Sequence, residues 1–190
     1  RTVEVETKNF RLVSSLSGEI GDWGWESGVT LSRSRSEQEA IAGVYNRYQF
    51  HGAITGELCS DGTLASFDGT DLNCASGELL PFYNPFLQGD AANDAVLATA
   101  QARPTRSGES TVYGWDANFN GELFTFNELP AYASFGVEAR REELSDIPSL
   151  DSQAQADKDY LVDVFGFGSS LSEANRTQYA TFAELSISLS

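Results

Sequence analysis

The sequence predicts an all-β chain, an antiparallel transmembrane β-barrel segment of about five long strands with short periplasmic turns and long extracellular loops. Three observations carry that reading. Residues 110–143 alternate at period two in two consecutive arms: Tyr113, Trp115, Ala117, Phe119 and Leu123 share one face of the first, and Ala133, Phe135, Val137 and Ala139 one face of the second. Gly114, Asp116, Asn118, Asn120 and Glu122 lie opposite the first set, with Tyr132, Ser134, Gly136, Glu138, Arg140 and Glu142 opposite the second. Each arm exceeds the ~5–6 residues usual in a soluble sandwich and suits the ~9–11 that cross hydrocarbon at a tilt. Connections between arms alternate short and long, as in outer-membrane barrels. No apolar run reaches the ~18 residues of a spanning helix, so a membrane crossing would have to be made by strands.

Residues 2–20 open the chain as a strand. Val3 and Val5 alternate with Glu4 and Glu6, and the phase then shifts at Lys8-Asn9, as a bulge would shift it. Phe10, Leu12, Ser14, Leu16, Gly18 and Ile20 then share a face against Asn9, Arg11, Ser15, Ser17 and Glu19. Gly21-Asp22 makes a tight turn into residues 23–35, with Trp23, Trp25, Val29 and Leu31 opposite Glu26, Thr30, Ser32 and Ser34. Two tryptophans beside a turn suit a lipid–water interface; a sandwich core would also hold them.

A long loop follows over 36–109. It opens on S-E-Q-E-A-I-A-G, a weak capping-box helix signal, and residues 94–102 predict a short helix with Asp94 at its start and Pro104 beyond its end. The hairpin arms, 110–124 and 131–143, meet through a short connection in which Pro130 stands where no ladder donor is needed. A second loop, 143–173, is acidic and serine-rich and contains Phe165-Gly166-Phe167-Gly168. The last strand, 176–189, sets Tyr179, Thr181, Ala183, Leu185, Ile187 and Leu189 against Gln178, Ala180, Phe182, Glu184 and Ser186.

A net charge of −16 argues against nucleic-acid partners and against adhesion to anionic head groups. Mean hydropathy is −0.29, compatible with a barrel because only alternate residues face lipid. Cys59 and Cys74 lie in a turn-rich segment and are expected to bridge, which requires an oxidising compartment. Arg1 opens the chain without an initiator methionine, and Ser190 closes it inside an alternating run. The expectation is a section of something longer.

Several pieces, in order, resemble the β-barrel of outer-membrane TonB-dependent receptors: F-R-L-V-S-S-L-S-G-E-I-G-D-W-G-W-E, C-A-S-G-E-L-L-P-F-Y-N-P-F, G-W-D-A-N-F-N-G-E-L-F-T, F-G-V-E-A-R-R-E and Y-A-T-F-A-E-L-S-I-S-L. They cover most of the chain outside the loop centres. The resemblance implies a barrel of about twenty-two strands around an N-terminal plug, of which residues 1–190 would be a middle portion. It implies a place in the outer membrane with the long loops extracellular, and energy-coupled uptake of a scarce nutrient: a siderophore, cobalamin, oligosaccharide or peptide. Partners would be the rest of the barrel, the plug, outer-membrane lipid, the small nutrient ligand and, through the plug, the periplasmic TonB energy-coupling protein. No cofactor and no enzymatic activity are implied. Neither a plug nor a coupling box is found in these residues.

His51 is the one histidine, on a loop, and no G-x-S-x-G elbow exists, so nucleophilic catalysis has little to stand on. One histidine and a bridged cysteine pair cannot supply a zinc site. Glu122, Glu138, Glu142 and Asp116 read as the wet wall of a barrel before they read as a glycosidase pair. Calcium is the metal best suited to the residues present, with Asp61, Asp68, Asp71 and Asn73 near Gly62 and Gly69; the alternative is an acidic solvated loop closed by the disulfide. The loop aromatics Tyr45, Tyr48, Phe50, Phe82, Tyr83, Phe86, Phe165 and Phe167 either contact ligand or pack the loops together. The disulfide would hold residues 79–86 over the barrel mouth. A soluble extracellular β-sandwich binding module or adhesin is the rival reading, and an extracellular hydrolase a more distant one.

Overall fold

The computed structural model describes the chain except positions 88, 127–128, 157–161 and 188–190. Its main element is a five-stranded sheet in the order β1-β2-β5-β6-β7. The strands are β1 (Thr2–Ile20), β2 (Trp23–Ala42), β5 (Thr105–Phe126), β6 (Leu129–Pro148) and β7 (Ser172–Ile187). Between β2 and β5 come α1 (Arg47–Thr55), the small ribbon β3 (Ser66–Phe67) with β4 (Leu72–Asn73), and α2 (Ala91–Ala100). The sheet is open, with β1 and β7 as its outer strands. It is antiparallel where β6 meets β7, in a register running from Ala131↔Ile187 to Asp146↔Ser172.

Two compact units divide the chain. One comprises Thr7–Ser36, Gly108–Asp146 and Ser172–Ser190; the other comprises Arg1–Glu6, Glu37–Ser107 and Ile147–Leu171. The first is sheet, and its two faces follow the alternation of the sequence. Trp23 meets Phe135 at 5.3 Å between ring centroids, Phe119 stacks on Phe135 at 5.8 Å, and Trp115 Nε1 donates to Ser27 Oγ at 3.0 Å. Opposite β6, the β7 register places Leu185 across from Ala133 and Tyr179 across from Ala139, on that same face. Phe10, Leu16, Trp115, Phe135, Tyr179 and Leu185 are all exposed, Tyr179 to 80%. The face is apolar and aromatic, and among the described residues of this unit nothing covers it. Beyond Leu31 and Ala139 it turns charged, with Arg33–Glu109 and Arg141–Glu143 ion pairs, each at 2.8 Å.

Glycines make room for the largest rings. A Cβ at Gly121 would lie 2.7 Å from the Trp23 ring, and one at Gly18 would lie 3.0 Å from Trp25 Nε1. Trp23 therefore lies across Gly121 on its way to Phe135. On the opposite face Phe182 covers Gly136 in the same manner, 2.3 Å from where a Cβ would stand.

The strands run further than the alternation alone indicated. Residues 36–42, expected to start a helix, continue β2, because the helix signal is weaker than the tertiary pairing open to this segment. Ala40 N donates to Pro104 O at 3.0 Å, Gln101 Nε2 donates to Ile41 O at 2.9 Å, and Ala40 is buried. β6 likewise outruns residue 143, since Leu144, Ser145 and Asp146 keep partners in Ala174, Glu173 and Ser172. The long connections shrink to 43–104 and 149–171. The turn at Gly21-Asp22 is where it was expected, with Gly21 at φ 63°, which glycine adopts without strain. The expected place of Leu189 lies outside the described residues.

The second unit holds two small cores. Ala53, Leu58, Val96 and Ala100 pack with Tyr45, Leu80 and Tyr83; Ala40, Val44 and Val164 pack with Ala102, Val162 and Phe167. The expected helix at 94–102 is α2, displaced toward its N-terminus because Asp90, and not Asp94, caps it: its side chain accepts from Ala92 N and Asn93 N. Helix α1 was not expected. Asn46 caps its start by accepting from Tyr48 N and Gln49 N, and Gly56 ends it at φ 78°.

Gly121→Val should displace Trp23 from its seat and cost about 1–3 kcal/mol in equilibrium unfolding followed by tryptophan fluorescence. Gly114→Val is the control, since its Cβ would meet Thr30 at an ordinary 3.6 Å. Equal losses at both sites would mean that the ring seat is not what Gly121 provides.

Candidate functional site

The loop residues singled out by sequence all fall in the unit that holds the helices. Capped by Asn46, α1 carries Phe50 into a ring cluster: Tyr45 at 5.5 Å, Tyr83 at 5.9 Å and Phe165 edge-on at 5.6 Å between centroids. Arg47, which sequence reasoning passed over, lies 4.6 Å above the Phe165 ring, and its Nε donates to Val164 O at 3.3 Å. The backbone ties the same elements together through Arg47 N to Asp163 O at 2.7 Å and Phe165 N to Tyr45 O at 3.0 Å. Phe167 packs on the second small core, with the Arg1 guanidinium 5.6 Å from its ring. Tyr48 is half-buried on α1, and His51 is exposed on the same helix.

Phe82 and Phe86 are placed differently, 62% and 92% exposed. Their segment has little regular structure, yet its backbone is fastened along its length. Leu79 bridges Cys59, Leu80 N donates to Leu58 O at 2.9 Å, and Tyr83 N donates to Ala53 O at 2.6 Å. Asn93, buried on α2, accepts from Asn84 N at 3.0 Å and donates to Asn84 O at 2.8 Å and Leu87 O at 2.6 Å. No sequence pattern advertised Asn93; its role exists only because α2 faces this turn.

Cys59 and Cys74 form a disulfide. Within the segment it brackets, the acidic residues make turns. Asp61 Oδ1 accepts from Thr63 N at 3.0 Å and Thr63 Oγ1 at 2.6 Å. Asp68 closes the β3–β4 turn, accepting from Thr70 N and Asp71 N, each at 2.9 Å, Thr70 Oγ1 at 2.8 Å and Asn73 Nδ2 at 2.7 Å. Asp68, Asp71 and Asn73 are thus brought together, whereas Asp61 serves its own turn. Among the described residues, no group of three or more His, Cys, Asp or Glu side chains could hold a metal ion. The Asp71 and Thr70 donors hold the Asp68 carboxyl down to about 2, and the Thr63 hydroxyl holds Asp61 below the ordinary range.

The sheet's polar face offers a second surface. Glu19, Asn120, Glu122, Tyr132, Ser134 and Glu184 line a shallow depression on it. Further along, Arg11, Asp116, Glu138 and Arg140 line another. Glu142 pairs with Arg140 at 2.7 Å and with Arg176 across the β6–β7 ladder. Carboxylates and guanidiniums alternate here as on a hydrated wall.

No protein-family model, curated protein or solved structure matches the chain.

Mass spectrometry of the native protein should find no alkylatable thiol; two would overturn the bridge. Replacing both cysteines with serine should loosen the 59–74 segment by about 3 kcal/mol in the chain-entropy account, measured by amide exchange in that segment. Asp68 should titrate at about 2, below its ordinary 3.8. A carboxylate depressed in this way supports its turn fully above the ordinary value and loses that support as pH falls through about 2. Carboxyl chemical shifts followed by NMR check this, and an ordinary titration midpoint would mean the turn bonds do not persist.

Proposed function

We propose that this chain is part of the barrel wall and outer loops of an outer-membrane receptor of the TonB-dependent kind, serving energy-coupled uptake of a scarce nutrient. One observation carries the reading: a single long-stranded sheet displays an uncovered aromatic face on one side and an ion-paired polar face on the other. From Tyr113 to Leu123 the apolar band runs about 33 Å along the strand, or ~25 Å at a ~40° tilt, which is the height of a lipid-facing band. Charged pairs at Arg33–Glu109 and Arg141–Glu143 bound it at one end. The polar face, with Asp116, Glu138, Arg140 and Glu142, would then be the luminal side.

The outer strands support the same reading. β1 has 19 residues and β7 has 16, every described β7 side chain being exposed. Edges of that length are avoided in soluble proteins because they template aggregation, and further strands of a barrel would pair them. A sandwich would need a second sheet over the aromatic face. Among the described residues the only other sheet is the β3–β4 ribbon, two residues a strand. In this reading the long connections are extracellular and the short turns periplasmic, with the plug and its TonB partner supplied by the rest of the receptor.

Phe135→Arg and Trp115→Arg should each cost about 2–4 kcal/mol in reversible unfolding from lipid, while arginine at Asn118 should be tolerated. Equal sensitivity on both faces would sink the barrel reading and favour a sandwich core. So would a monodisperse, cooperatively melting protein in buffer without detergent.

A further inference from the structure

An acidic surface and a fixed aromatic display coincide on one stretch of the helix-bearing unit. From position 48 to 102 the chain contains no lysine or arginine, while Glu57, Asp61, Asp68, Asp71 and Glu78 precede the aromatic segment and Asp90 and Asp94 follow it. The backbone that carries several of these acids also runs beside the aromatic segment. Gly56, beside Glu57, has its Cβ direction 3.6 Å from Phe82 Cβ; Glu78 O accepts from Ser60 N as the segment begins, and Asp90 caps α2 as it ends. Within that frame the segment turns Leu80 and Tyr83 inward to the core and Phe82 and Phe86 outward.

Two exposed phenylalanines on loose chain would mean little, because a mobile segment can fold its rings away. Here the Leu79, Leu80, Tyr83, Asn84 and Leu87 backbones are all bonded to neighbours, and the Cys59–Cys74 bridge secures the adjoining turn. The segment cannot swing inward as a whole without breaking those bonds. A partner meeting the rings therefore loses little ordering entropy in the protein, which is how fixed aromatic anchors come to dominate an interface. The surrounding charge selects its sign: cations are attracted and can stack on the ring faces, while anions are repelled.

We propose that residues 79–87 form a docking surface for a cationic amphipathic peptide segment, one alternating lysine or arginine with apolar side chains. Phe82 and Phe86 take the apolar side chains, and Glu57, Glu78 and Asp94 face the cations. This goes beyond the receptor reading by giving the unit a partner class, and it does not depend on whether the sheet sits in lipid.

The test uses the full chain in nonionic detergent and a fluorescently labelled nine-residue peptide alternating lysine and leucine, with anisotropy as the readout. Saturable binding is expected. The Phe82→Ser/Phe86→Ser double variant should weaken it by roughly tenfold or more, and Glu57→Gln/Glu78→Gln by roughly threefold to tenfold, both at low salt. Both rings are exposed, so the variants should keep the disulfide and the parent circular dichroism spectrum, which are measured alongside. A glutamate–leucine peptide should not bind, and a lysine–serine peptide should bind much more weakly. Equal binding of the lysine and glutamate peptides, parent affinity in the phenylalanine variant, or equal binding of the lysine–serine peptide would each overturn the proposal. Lipid insertion of Phe135→Arg is a separate measurement, so failure of the receptor reading and failure of this one are distinguishable.

Discussion

The backbone ladder of β1, β2, β5, β6 and β7 is the constraint from which the sheet's other properties follow. Strands of 16 to 22 residues pair with their neighbours across the sheet, β1 and β7 on one side each. The pleat then sends alternate side chains to opposite faces, so the face of each residue is decided by parity alone. Parity puts Trp23, Trp115, Phe119 and Phe135 together on one side. It puts Asp116, Glu138, Arg140 and Glu142 together on the other. Among the described residues of that unit nothing covers the aromatic side.

Ring packing on such a surface is set by where side chains are missing. Trp23 reaches Phe135 over Gly121, Trp25 lies over Gly18, and Phe182 lies over Gly136. In each case a small residue on one strand gives a bulky neighbour somewhere to lie flat. Glycine weakens an isolated strand, and here the covering ring offsets part of that loss by shielding the backbone it leaves bare.

The helix-bearing unit is ordered by different means. Its buried clusters are only three or four residues each, too small to order long connections alone. Order comes from caps at Asn46, Asp90 and Gly56, from carboxylate-closed turns at Asp61 and Asp68, from Asn93 bonding to Asn84 and Leu87, and from one disulfide. These are polar, local devices. They explain how a segment with several exposed aromatics and many carboxylates can still hold one backbone path.

Alternation and turn chemistry in the sequence were enough to determine that the chain is mostly antiparallel sheet, which residues share each face and where the Gly21-Asp22 turn falls, and two cysteines in one turn-rich segment led to the expectation of a bridge that the structure holds. Those properties depend on period-two geometry, turn chemistry and short separations, which a single sequence displays directly. Strand ends were not legible, because residues 36–42 carry helix-forming types and become strand through pairing within the sheet and bonds to Gln101 and Pro104, some sixty positions away. The fate of the loop aromatics was equally hidden. Phe50 and Phe165 meet in one ring cluster, Phe165 still 40% exposed, while Phe82 and Phe86 stand apart at 62% and 92%, and no local pattern distinguishes the pairs. Only the tertiary structure decided it, because burial depends on which distant segments arrive at the same place: α1 met residues 163–165, and α2 fastened the turn that holds Phe86 out.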